Sequence, residues 1–143
     1  MSSKHTGSAI WSGGLKDGIG SISTQSGTMN KVPYGFKARF EDGPGTNPEE
    51  LIGAAHAGCF TMALSGILAE AGLTAEKMET SADVTLDKVA GNFAITKVHL
   101  KLVATIPGAD QQKFDEAVQK AKQNCPVSKV LNAEISLESK LMS

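Results

Sequence analysis

A chain of 143 residues, 41% of them hydrophobic, can bury one real core, and a single domain spanning 1–143 is the expectation. Its 14 basic and 15 acidic residues nearly cancel, which excludes the basic footprint of a nucleic-acid binder and the polybasic patch of a membrane-surface protein. The start of the chain, residues 1–14, is polar and rich in Gly and Ser and lacks the apolar core of a secretory signal, so a cytoplasmic protein is expected.

In chain order, weak alternation over His5, Gly7, Ala9 and Trp11 predicts an edge strand. Gly13, Gly14, Asp17 and Gly18 turn the chain into a short second strand, Ile19 to Thr24. A loop with Gly27, Asn30 and Pro33 leads to a predicted third strand, Tyr34 to Phe40, with Phe36, Ala38 and Phe40 on one face and Lys37 and Arg39 on the other. These three read as an antiparallel meander.

The stretch from Gly45 to Gly72 predicts a long helix. Asn47 can cap it, Pro48 suits the first helical position, Glu50 stands where a capping-box carboxylate would, and Gly72 supplies a left-handed stop. No charge falls between Glu50 and Glu70, and a helix apolar on every side is expected to be buried on every side. Leu51–Ala69 has a membrane-spanning length, but it holds His56, Thr61, Ser65 and glycines and is flanked by acids rather than Lys or Arg, which argues against insertion.

Beyond Gly72, a strand carries Ala82, Val84 and Leu86 inward, and Gly91-Asn92 predicts a hairpin. The next strand, Phe93 to Ile106, changes phase near Thr96-Lys97, which predicts a bulge. Asp110 to Asn124 is an amphipathic helix, with Phe114, Ala117, Val118 and Ala121 on its apolar side. Pro126 starts a short helix through Leu131, and Ala133, Ile135, Leu137 and Leu141 mark a last strand. Strands, helix, strands, helix and strand make an α+β domain: antiparallel sheets around a long buried central helix.

Three features carry chemistry. Cys59 lies in the uncharged helix, where a thiol is most often a small hydrophobe. Cys125 precedes Pro126 at a helix N-terminus, a position that favours thiolate. Arg39 is the only Arg beside thirteen Lys. Two cysteines in a reducing compartment point to a transient, redox-active pair rather than a staple. A buried reactive thiol needs a fixed positive charge nearby, which Arg supplies at any working pH, and Glu49 or Glu50 can orient that Arg.

Gly45-Thr-Asn-Pro-Glu-Glu-Leu-Ile-Gly-Ala-Ala-His-Ala-Gly-Cys59-Phe, with Cys125-Pro-Val-Ser far downstream, resembles the OsmC/Ohr family of osmotically inducible and organic hydroperoxide resistance proteins. The Tyr34-Gly-Phe-Lys-Ala-Arg39-Phe segment is more similar to the OsmC branch. The resemblance spans nearly the whole chain. It implies a thiol-dependent peroxidase that reduces organic hydroperoxides, and hydrogen peroxide less well. Cys59 would be the peroxidatic thiol, Cys125 the resolving thiol, and Arg39 with Glu49 the activating pair. It implies no metal or flavin, an external dithiol reductant of lipoyl type, and an intertwined homodimer with its active sites at the subunit interface. Ten residues separate Glu49 from Cys59, about 15 Å of helix rise, so Arg39 and Glu49 of one subunit are expected to serve Cys59 of the other. Small residues at Gly53, Ala54, Ala57 and Gly58 allow two such helices to approach.

Two other readings use the same residues. His56 and Cys59, one helical turn apart, could begin a metal site, but the chain offers few further ligands, and His56 fits better as a hydrogen-bonded core or interface residue. A non-catalytic dimer holding an apolar ligand between subunits would make the cysteines and the lone Arg incidental.

Overall fold

The structure, a computed structural model, describes residues 2–142. The chain divides into two compact units, with the boundary after Leu51.

The first unit holds an antiparallel meander: β1 (Gly7–Ser12), β2 (Ile19–Thr24) and β3 (Val32–Tyr34). Gly20 in β2 has a packing reason to be glycine. A Cβ there would lie 2.5 Å from the Trp11 ring and 2.6 Å from the Tyr34 ring, which meet edge to face at 5.5 Å. The third strand lies earlier than the expected Tyr34 to Phe40 and shares only Tyr34 with it. After Gly35 the residues Phe36–Phe40 form a short helix, α1, rather than a strand. The alternation of Phe36, Ala38 and Phe40 is also an i, i+4 pairing, and the helical turn brings the two phenylalanine rings to 4.9 Å.

The long helix α2 (Pro48–Glu70) starts in the first unit as its sequence predicts: Asn47 Oδ1 accepts from the Glu50 N–H at 2.8 Å. The Glu50 carboxylate accepts from the Thr46 hydroxyl at 2.7 Å instead of closing a capping box. At the far end Gly72 takes φ +75°, and the Leu73 N–H donates to the Leu68 carbonyl at 2.9 Å.

The second unit contains the rest of α2 with β4 (Lys77–Val89), β5 (Asn92–Thr105), α3 (Gln111–Asn124), α4 (Pro126–Val130) and β6 (Glu134–Met142). β4 and β5 form a hairpin closed by Ala90 and Gly91, both at positive φ. Thr85 pairs with Lys97 and Leu86 with Ile95, so Thr96 is the extra residue of the expected bulge. β6 pairs with β5 in parallel, a departure from the antiparallel pattern that follows from the connection: α3 and α4 carry the chain back to the starting end of β5. Asp110 caps α3 by accepting from the Lys113 N–H at 2.8 Å. Asp110→Ala is expected to cost about 1 kcal/mol, read as a lower urea midpoint with an unchanged slope.

The core of this unit joins Phe60, Leu64 and Leu68 of α2 to Val98, Leu100, Leu102 and Ala104 of β5 and to Phe114, Val118 and Ala121 of α3. Gly53 lets α2 lie against β4: a Cβ there would stand 3.0 Å from the Ala82 carbonyl oxygen. The expectation of burial on every side does not hold. Gly53, His56, Phe60, Leu64 and Leu68 are buried, while Ala54, Ala55, Gly58, Met62, Ser65, Gly66 and Ala69 are exposed, Met62 by 79%. The absence of charge does not distinguish the two faces, and the sheet of this unit covers one of them.

Candidate functional site

Arg39 and Glu49 meet in the first unit. The Arg39 Nε donates to Glu49 Oε1 at 2.9 Å and Nη2 to Oε2 at 3.0 Å, a two-pronged pair with fixed geometry. Asn47 holds the two elements in register. While its oxygen caps α2, its amide nitrogen donates to the Ala38 carbonyl at 2.9 Å, next to Arg39. Glu49 is buried, and the Arg39 guanidinium carbon lies 5.5 Å from the centre of the Phe40 ring. Of the two acids the sequence leaves open as partners of Arg39, the pair selects Glu49, because the Glu50 carboxylate is occupied with Thr46. Beside Arg39 opens a cavity of about 310 Å³ with walls from Trp11, Leu15, Tyr34, Phe36 and Phe40.

Cys59 and Cys125 meet in the second unit. Cys59 is half-buried on α2, and Cys125 is fully buried as the residue that ends α3 and precedes α4. Both thiols are free, and their sulfurs lie within hydrogen-bond reach. Burial pushes the Cys59 thiol up from its ordinary pKa, and the hydrogen bond with Cys125 adds to that. The Val127 N–H, in the first turn of α4, acts in the opposite direction by favouring the thiolate. The sequence assigns the benefit of this helix start to Cys125; the structure delivers its N–H to Cys59 instead.

His56, one turn before Cys59, is fully buried, and its Nε2 lies 2.8 Å from the Ser128 hydroxyl of α4. Sequence reasoning places His56 in the core and overlooks Ser128, although Ser128 belongs to the Cys-Pro-Val-Ser motif. Their separation of 72 residues leaves no local signal. Among the described residues no group of three His, Cys, Asp or Glu is arranged to hold a metal ion.

The model of the OsmC-like protein family matches residues 41–140. The chain is 58% identical over 137 residues to the peroxiredoxin OsmC of Escherichia coli (strain K12), with 96% of each chain covered. It is 31% identical over 124 residues to the organic hydroperoxide resistance protein OhrB of Bacillus subtilis (strain 168), covering 85% of this chain and 89% of that one. The crystal structure of that OhrB is similar with a TM-score of 0.70 at 29% identity, over 94% of this chain and 98% of the other. An OsmC-like protein of unknown function from Vibrio cholerae has the same fold, with a TM-score of 0.79 at 20% identity over 97% and 100% of the chains. With a thiol pair in one unit, an Arg–Glu pair in the other and this likeness over nearly its whole length, the chain belongs to the OsmC-like protein family.

Proposed function

We propose that this thiol-based redox enzyme reduces organic hydroperoxides, and hydrogen peroxide less well, to alcohols or water in defence against oxidative stress. The observation that carries the reading is the reach of one free thiol to the other, Cys59 half-buried and Cys125 beneath it. The Cys59 thiolate attacks the distal peroxide oxygen. The O–O bond breaks, the alkoxide takes a proton and leaves as alcohol, and Cys59 becomes a sulfenic acid. Cys125 then attacks the Cys59 sulfur. The S–S bond forms, the S–O bond breaks, and hydroxide leaves with the Cys125 proton as water. An external dithiol, of lipoyl type in this reading, restores both thiols by exchange and is itself oxidised to a disulfide. The cycle draws on thiols alone.

Burial by itself makes Cys59 a poor nucleophile, so the reading needs a positive charge at the reacting sulfur. Arg39, oriented by Glu49, is the proposed source. Glu49 and Cys59 stand ten residues apart on one helix, about 15 Å of rise, and this supports supply from a second copy of the chain in a homodimer. The aromatic cavity beside Arg39 supports an alkyl or aryl peroxide over a small polar one. A reducing cytoplasm fits two thiols kept free between turnovers.

The test adds one equivalent of cumene hydroperoxide to reduced protein and counts thiols. Rapid loss of both thiols per chain is expected, with a trappable sulfenic acid in Cys125→Ser. Survival of both thiols for many minutes would sink the reading in favour of a dimer that only binds an apolar ligand. Arg39→Gln is expected to slow Cys59 oxidation at neutral pH by about 10- to 100-fold and to move the pH–rate midpoint upward, because a thiol without its cation needs a higher pH to ionise. An unshifted midpoint would remove Arg39 from the activating role.

A further inference from the structure

α4 has only five residues and cannot hold itself in place, since an isolated helix of that length is not stable in water. Its position is set from outside. Val127 and Leu131 pack on the core and fix how deeply it lies, and the Val127 N–H reaches Cys59 of α2. The His56–Ser128 hydrogen bond adds a second directional tie between α4 and α2. The same five-residue helix carries Cys125 at its start and the Val127 N–H that reaches Cys59. His56 stands three residues before Cys59, so both ends of the tie lie within one helical turn of a thiol.

The His56 Nδ1 is buried and has no hydrogen-bond partner among the described residues. A bare lone pair is tolerated in such a place better than an orphan N–H, so the ring proton is assigned to Nε2, which donates to the Ser128 oxygen. Burial also lowers the His56 pKa, which keeps the ring in this neutral form.

We propose that the His56–Ser128 hydrogen bond is a latch that positions Cys125 against Cys59 and thereby sets the rate at which the disulfide closes. His56 is a positioning residue here: it acts through α4, by its hydrogen bond to Ser128. The proposal rests on the redox reading of the two cysteines and is independent of which hydroperoxide, if any, is the substrate. Closure is sensitive to such placement because a disulfide tolerates only a narrow range of Cα separation and torsion.

The test uses the reduced full chain and one equivalent of dithiobis(nitrobenzoate), which needs no peroxide. The half-buried Cys59 attacks the reagent, its S–S bond breaks, and one coloured thiolate leaves with Cys59 in a mixed disulfide. Cys125 then attacks the Cys59 sulfur, the mixed disulfide breaks, the protein disulfide forms, and a second coloured thiolate leaves. The two releases report attack and closure separately.

In His56→Leu the ratio of the closure rate to the attack rate is expected to fall about tenfold. Thermal stability should hold or rise, because leucine removes the orphan Nδ1 and the Ser128 hydroxyl can turn to a carbonyl of its own helix. Lower closure without lower stability is an outcome that a merely structural hydrogen bond does not produce. Ser128→Ala should show the same ratio, Ser128→Thr should restore it, and the double variant should be no slower than either single one. Closure at the wild-type ratio in His56→Leu would overturn the latch. A wild-type chain that releases only one thiolate would overturn it together with the redox reading of the pair. A chain that closes as expected yet ignores cumene hydroperoxide would leave the latch standing and remove only the hydroperoxide.

Discussion

Cys59→Ser is expected to lower the rate of peroxide consumption by roughly a thousandfold or more, because a serine hydroxyl does not replace a thiolate as nucleophile toward an O–O bond. The fold should be unaffected: Cys59 sits at the edge of the core and the change is close to isosteric. Cys125→Ser should behave differently. Without added dithiol, one equivalent of peroxide is consumed at the normal rate, consumption then stops, and with excess peroxide Cys59 proceeds to the sulfinic acid because no second thiol of the chain traps the sulfenic state. Stopped-flow peroxide loss together with intact-mass analysis reads both. These two results together would separate the cysteines into attack and resolution, a separation that a structural role for either thiol does not provide.

Phe114→Ala should be the most damaging change to stability, at about 3–5 kcal/mol. Phe114 is fully buried on α3 in the core cluster that also holds β5 and α2 residues, and a close-packed core does not readily refill the volume of a ring. By the usual scaling the melting midpoint falls by roughly 10–15 °C. Calorimetry on Phe114→Ala beside Asp110→Ala separates the core from the cap on one helix. Similar losses in the two would mean that α3 is held by its ends rather than by its apolar face.

The sequence was most legible where a residue's role is local. Asn47 caps because its side chain reaches an N–H three residues on, and Gly72 stops α2 because it alone accepts φ +75° without strain. The bulge at Thr96 shows as a change of phase within a single strand. Phe36 to Phe40 was ambiguous, since five residues with aromatics at both ends satisfy a period of two and a period of four alike. The face of α2 that would be covered was not legible at all, because alanine, glycine and serine on one side and leucine and phenylalanine on the other are equally free of charge. At the candidate site, Cys59, Cys125, Arg39 and Glu49 stood out as residue types, and the Arg39–Glu49 pair is short-range enough to anticipate. The Val127 N–H on Cys59 and the tie between His56 and Ser128 depend on where α4 comes to rest, which no local pattern encodes.

The parallel pairing of β5 with β6 has a consequence for the order of assembly. β4 and β5 are joined by two residues and can zip from their turn, so the surface that receives α2 forms early. Cys125 lies within the connection that carries the chain back to β6, and the first β5–β6 partners, Lys97 and Glu134, are 37 residues apart in sequence. Closing that longer loop is slower, so Cys125, the proposed resolving thiol, is expected to reach its station last. A chain still being completed therefore holds Cys59 without its partner. If Cys59 reacts as proposed, an oxidant met at that stage is expected to leave a sulfenic acid that only outside thiols can rescue, until the final strand docks.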